Sequence, residues 1–296
     1  MTDIILLDGG MGQELIHRAG DNPTPLWSTQ VMLDQPDLVR DVHADFFAAG
    51  ATIATTNTYA VHHDRLVGTG READFGRLHR TAVSLAREAR DSFGSGRIAG
   101  AIGPIGASYR ADVHPGHDKA VALYSEIARE LAPDCDLLIC ETVVSLAHAR
   151  AVLEGARTGG KPVWIAISVD DHDGTRLRSG ELVADVLPVV EQADAILVNC
   201  SAPEVIGDAL AVLATGSLPF GAYANGFEQI TSDFLQDKPT VDALQARRDF
   251  SPQAYAQHAL GWVAQGATIV GGCCEVGPAH IAALRDALIA AGHRIV

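Results

Sequence analysis

The sequence is short of positive charge. Lys and Arg total 22 against 37 Asp and Glu, a net charge of −15 over 296 residues. That balance argues against a phosphate-backbone partner, so no nucleic-acid role is expected. It is compatible with a small cationic substrate. No apolar run approaches the roughly 20 residues needed to cross a bilayer, and no membrane partner is expected. No basic segment precedes the apolar run of Met1–Asp8, which reads as a first strand rather than a signal peptide. Cysteine is sparse and odd in number, at five. Without a secretion signal this points to a reducing compartment and a cytoplasmic location. The chain has no G-x-G-x-x-G after its first strand and no H-E-x-x-H among its twelve histidines. It also lacks a Pro/Ser-rich linker or low-complexity tract, so residues 1–296 are read as one domain.

What is present is a large apolar fraction, 47%, enough for a sizeable core. Short β-rich runs alternate with helical patterns. The strand candidates are Ile4–Asp8, Thr52–Thr58, Ile98–Pro104, Leu137–Thr142, Val163–Ser168, Ala195–Cys200, Phe220–Asn225 and Thr268–Cys274. Helical periodicity runs through Asp37–Ala49, Asp118–Leu131, Ser145–Thr158, Pro203–Ala214 and Pro252–Gln265. Eight strands, each followed by a helix, predict an α/β fold, a single (β/α)8 TIM barrel. Ser251-Pro252 and Gly277-Pro278 read as helix starts. The long irregular stretch 226–250 is a candidate lid, and 105–117 a second candidate loop.

In such a barrel the active site lies at the carboxyl ends of the strands. Three thiols gather there: Cys200 after the sixth strand, Cys273 and Cys274 after the eighth. Three protein ligands leave a fourth position open, the arrangement of a catalytic metal site, and an all-thiolate set suits Zn2+. Neighbouring strand residues point to opposite faces. Both cysteines of the pair can reach one ion only if the backbone leaves strand geometry, a freedom Gly271 and Gly272 would supply. A vicinal disulfide or plain buried thiols are the alternatives. Cys140 and Cys135 read as structural, and the histidines as surface or supporting residues.

Asp8 and Glu141 are the acids best placed to face the mouth. They could merely cap a turn and a helix, or could hold a substrate ammonium through charge-assisted hydrogen bonds. Trp27 and Tyr59 could be core aromatics, or could face an onium methyl donor by cation–π attraction.

The segments Asp8-Gly9-Gly10-Met11-Gly12-Gln13-Glu14-Leu15, Pro25-Leu26-Trp27-Ser28, Thr56-Asn57-Thr58-Tyr59, Gly103-Pro104, Glu141-Thr142, Asn199-Cys200-Ser201 and Gly271-Gly272-Cys273-Cys274 together resemble the homocysteine S-methyltransferase family. The resemblance spans essentially the whole chain. It implies zinc on Cys200, Cys273 and Cys274, with the homocysteine sulfur in the open position. It further implies that Glu141 binds the homocysteine amino group, that Asp8 lines the pocket with Asn199, and that Tyr59 stands near the metal. The expected reaction moves a methyl group from a small onium donor to homocysteine, giving methionine. A sulfonium such as S-methylmethionine or S-adenosylmethionine is the first choice, because folate- and cobalamin-binding modules and the C-terminal extension of betaine-dependent relatives are not seen. Tyr223-Ala224-Asn225 departs from the Tyr-Pro-Asn pattern of S-methylmethionine enzymes. A betaine-type donor and a zinc hydrolase are the competing readings.

Overall fold

The computed structural model describes residues 1–20, 24, 26–228, 230 and 245–296. Pro25 and most of the candidate lid, 229 and 231–244, lie outside the described residues.

Eight strands line up in chain order: β1 (Asp3–Leu6), β2 (Ile53–Thr55), β3 (Arg97–Ile102), β4 (Leu137–Val143), β5 (Val163–Ile167), β6 (Ala195–Asn199), β7 (Phe220–Tyr223) and β8 (Ile269–Val270). All neighbours are parallel, and β8 returns to β1 at Ile5↔Ile269. Leu7 bridges to Ile53, and Asp8 N–H donates to Ile53 O at 3.0 Å. The sheet therefore closes into the expected barrel. A ninth strand, β9 (Arg294–Ile295), pairs with the start of β1 at Asp3↔Arg294. Two residues carry no periodic signal, so sequence patterning could not find it.

The helices between strands are α1 (Met11–Arg18), α2 (Ser28–Asp34), α3 (Pro36–Ala49), α4 (His63–Leu66), α5 (Phe75–Phe93), α6 (His117–Leu131), α7 (Leu146–Arg157), α8 (Pro203–Leu213), α9 (Pro252–Ala264) and α10 (Pro278–Ala290). Ser145 Oγ accepts from His148 N–H at 3.1 Å and Ser251 Oγ from Ala254 N–H at 3.2 Å, so both serines cap as their sequence context requires. Gly277 N–H donates to His280 Nδ1 at 3.2 Å at the start of α10. Among the described residues the strand-then-helix rule fails after β5. There the chain makes an irregular run with a 3-10 turn at Val183–Val186. Asp170 Oδ1 accepts from His172 N–H and Asp173 N–H, and Asp173 Oδ1 from Thr175 N–H. Aspartates that bind nearby backbone in this way compete with helix formation.

Two-residue alternation sorts the strands into layers. Leu137, Ile139, Ala195, Leu197 and Trp164 fill the barrel interior. Leu138, Cys140, Ile196 and Val198 face the helices in the larger outer core. The same parity carries Glu141, Asn199 and Tyr223 inward at the carboxyl ends, where they line one large cavity.

Candidate metal and substrate site

Glu141 sits two residues beyond Ile139 on the inward face of β4. Its Oε1 accepts a hydrogen bond from Tyr223 Oη at 3.0 Å, across the barrel mouth. Burial raises its pKa to about 7, and the tyrosine hydrogen bond opposes that rise. Cys140, on the opposite face of the strand, is buried against the helices. Asp8 is anchored to β2. Thr55 N–H donates to Oδ2 at 2.7 Å, and Thr55 Oγ1 to Oδ1 at 3.0 Å. Burial first, and the nearby Glu141 charge in addition, hold the Asp8 pKa well above the ordinary carboxylate range. Two buried acids with raised pKa values line one cavity, and a cation bound beside them would restore their ionised forms.

The three sulfurs do converge. The Sγ atoms of Cys200, Cys273 and Cys274 lie within 4.8 Å of one another. Tetrahedral coordination with metal–sulfur bonds of about 2.3 Å needs sulfurs roughly 3.8 Å apart, so the set fits one ion when reduced. In this structure Cys200 and Cys273 are joined as a disulfide between the β6 and β8 tips, and Cys274 keeps a free thiol. The vicinal bond weighed from the sequence does not form. Burial, and after it the charges of Glu275 and Glu141, push the Cys274 thiol up to about 12. A thiolate here therefore needs a cation beside it.

The backbone at the cysteine pair leaves strand geometry as expected, but not through glycine torsions. Gly271 and Gly272 keep negative φ; Glu275 takes φ 65° and Cys200 φ 47°. The glycines serve close approach instead. A Cβ on Gly271 would strike Leu7, and one on Gly272 would strike Val276. Gln13 Nε2 donates to Glu275 Oε1 at 2.7 Å and fixes that turn. On the β6 side, Arg178 donates to Cys200 O at 3.2 Å and pairs with Asp171 at 2.8 Å, both side chains almost fully buried.

The cavity measures about 420 Å³. Trp27 and Tyr59 form one wall, their rings edge-to-face at 6.1 Å. Trp27 Nε1–H donates to Gln13 Oε1 at 3.2 Å, and Tyr59 Oη pairs with Ser108 Oγ at 2.8 Å. Tyr109 and Phe227 pack as an apolar cover over the sulfurs.

The family model for homocysteine S-methyltransferase matches residues 5–288. The chain belongs to the homocysteine S-methyltransferase family. It is 32% identical to the homocysteine S-methyltransferase of Escherichia coli (strain K12), over 96% of this chain and 94% of that protein. It is 30% identical to homocysteine S-methyltransferase YbgG of Bacillus subtilis (strain 168), over 94% and 92%. A crystal structure of the Escherichia coli homocysteine methyltransferase MmuM in its metallated form shares 30% identity. It covers 96% of each chain with a TM-score of 0.78. The oxidized form of MmuM matches at 0.79.

The chain is thus a methyltransferase of a family acting on small-molecule substrates, and its barrel brings the expected residues to one cavity. Asp8, Trp27, Tyr59, Glu141, Asn199, Cys200, Cys273 and Cys274 all line it. Asn199 differs from expectation in how it is used. Thr142 N–H donates to its Oδ1 at 3.0 Å and its Nδ2 donates to Thr142 Oγ1 at 3.3 Å. Its amide holds the end of β4 rather than standing free for substrate. The histidines stay outside the sulfur cluster: His62 bonds Tyr59 O, His63 bonds Glu126, and His114 and His148 share the Tyr124 hydroxyl. Sequence reasoning missed the supporting roles of Gln13, Thr55, Arg178 and Tyr223, whose contacts span from 22 to 262 positions. It also missed a backbone signature. Among the described residues, the non-glycine positive-φ positions are Trp27, Tyr109, Thr142, Cys200 and Glu275. Each lines the cavity or adjoins a residue that does, and such strain gathers at functional sites. No helix among the described residues is long and apolar enough to cross a membrane.

Proposed function

We propose that the whole chain, 1–296, works as one homocysteine-binding barrel that moves a methyl group from a small sulfonium donor, S-methylmethionine first, to L-homocysteine, giving methionine. The observation that carries this reading is three cysteine sulfurs within 4.8 Å on the wall of a cavity that also holds Glu141. Cys200, Cys273 and Cys274, reduced, would hold zinc; a cytoplasmic location would keep them so. Bound there, zinc supplies a cation that favours the thiolate form of the substrate. Glu141, with Asp8 beside it, takes the homocysteine ammonium and orients the sulfur. Trp27 and Tyr59 face the cationic donor, and Tyr109 and Phe227 exclude water. The homocysteine sulfur forms the new bond to the methyl carbon. The electron pair of the breaking carbon–sulfur bond stays with the departing thioether. No general acid is needed.

The test is reduced, zinc-loaded protein given homocysteine with S-methylmethionine, S-adenosylmethionine or glycine betaine. Methionine formed from a sulfonium is expected. Methionine from betaine alone overturns the donor. No methionine, with Cys200-dependent hydrolysis instead, overturns the reading.

A further inference from the structure

One side chain on the cavity wall is left without a counterpart. Arg65, in α4 just after β2, is the one Lys or Arg among the described residues lining the cavity. Its Nε is buried and meets no hydrogen-bond acceptor among the described residues. The adjacent acid does not pair with it: Asp64 Oδ2 accepts from Gly106 N–H at 2.9 Å, and Asp64 and Arg65 form no ion pair among the described residues. Elsewhere arginines near the site are paired: Arg178 with Asp171 and Arg247 with Glu204. In a chain carrying 15 excess negative charges, a cavity-lining guanidinium without an acid is conspicuous. A buried donor left unmet costs stability that a bound anion would return.

The cavity wall carries two chemically different groups of residues. Asp8 and Cys200 are buried, and Glu141 reaches across to Tyr223 within the barrel mouth. Arg65 lies next to the open rim at Val67 and Gly68, with Val67 65% exposed. The homocysteine carboxylate is bonded to the same carbon as the ammonium that Glu141 takes, so it stays beside Glu141. An anion at Arg65, beside the exposed rim, is then best supplied by the second substrate. Tyr59 lines the same cavity. Burial pushes its phenol up to about 12, while the Arg65 charge pulls the other way, which puts the guanidinium within electrostatic reach of the ring facing the onium group.

We propose that Arg65 binds the carboxylate of the methyl donor, and so selects onium compounds that carry a carboxylate over those that do not. The ligand class is a zwitterion with its sulfonium directed at the cysteine cluster and its carboxylate at the rim. The planar fork of arginine suits a carboxylate in two-point contact. This inference rests on the methyl-transfer reading above.

The experiment compares S-methylmethionine with its methyl ester, in which the carboxylate charge is gone, on wild-type, Arg65→Gln and Arg65→Lys proteins. Wild type is expected to show a roughly ten- to hundredfold higher donor KM for the ester. Arg65→Gln should raise the S-methylmethionine KM by a similar factor and lose discrimination against the ester. Homocysteine KM and zinc content should stay at wild-type values, and Arg65→Lys should recover part of the loss. A rise in homocysteine KM instead, or a wild type indifferent to the ester, overturns the assignment. If wild type makes no methionine from any onium donor, the methyl-transfer reading fails by itself. Calorimetric binding of S-methylmethionine then decides the site: weaker binding to Arg65→Gln upholds it, and equal binding overturns it.

Discussion

The carboxyl of Glu141 and the hydroxyl of Tyr223 lie 3.0 Å apart, and their contact controls when the acid ionises. Burial raises Glu141 to about 7 and Tyr223 opposes the rise. Only the ionised carboxylate attracts an ammonium, so amino-acid binding should strengthen as pH rises through about 7. Removing the hydroxyl in Tyr223→Phe should move that midpoint upward. Inhibition by methionine, which has no thiol to titrate, measures it; an unmoved midpoint would show that Tyr223 does not tune the acid. Glu141→Ala should cost about 1.5–3 kcal/mol in homocysteine recognition, read as a higher KM at normal zinc content. At this scale the sequence was partly legible. Glu141 could be aimed inward because Leu137, Ile139 and Glu141 share one face of a strand. Tyr223 could not be assigned as its partner, because the contact joins positions 82 residues apart on opposite sides of the mouth. The glycines before Cys273 were legible as a departure from strand geometry. Which residue takes the positive φ depended on what surrounds each Cβ, and that is a property of the assembled barrel.

Among the elements, the segment after β5 supports the site without touching substrate. It delivers Arg178, which donates to Ser168 Oγ and Cys200 O and stacks over the Tyr109 ring at 4.8 Å. Cys200 is thereby fixed at its unusual φ of 47°. Groups that orient a metal ligand from behind typically contribute ten- to a hundredfold in metal affinity. Arg178→Ala is expected to lose about that much, measured by competition with a chelator. It should also lower stability by about 3–5 kcal/mol, because Asp171 would remain buried without its partner. Metal affinity at the wild-type value would show that Cys200 is held by β6 alone. Ser251→Ala, at the start of α9, should cost only about 1 kcal/mol in a thermal melt and leave metal binding alone. Helices α3, α6, α7, α8 and α9 were legible because their apolar faces repeat at the helical period. The irregular run after β5 was not, since the local aspartate turns that replace a helix leave that periodicity without a distinctive mark.

For the whole molecule, the raised acids link folding to pH. A carboxyl whose pKa is higher folded than unfolded contributes stability that is complete below its unfolded value and is lost as pH rises through the folded one. For Glu141 that window runs from about 4.5 to about 7, and Asp8 acts in the same direction. Burial pushes Asp171 up, but the Arg178 charge and hydrogen bond, joined by the Ile230 and Ala202 N–H groups, outweigh it and hold the carboxyl below its ordinary value, so its contribution is lost instead as pH falls below the ordinary aspartate range. Burial holds His43, His62, His79 and His148 below the ordinary imidazole range, so their contribution is lost as pH falls below about 6.5 and opposes that of the acids. The acid's own share is isolated by comparison: the melting temperature of metal-free wild type minus that of Glu141→Gln should fall from pH 5 to pH 8. A difference that does not change with pH would place the effect elsewhere. The closed ring was legible from eight alternating runs, but the β9 clasp was not. Through that clasp Arg294 N–H donates to Thr2 O at 3.0 Å, and the Arg294 side chain pairs with Asp3, at the end of β1 away from the cavity. The two chain termini are thus neighbours on the face remote from chemistry. A short linker joining residues 296 and 1, with new ends opened between Gly94 and Ser95 in the exposed turn after α5, should give a circular permutant that keeps the sulfur cluster intact. Covalent continuity there would be exchangeable, because non-covalent pairing already holds those ends together.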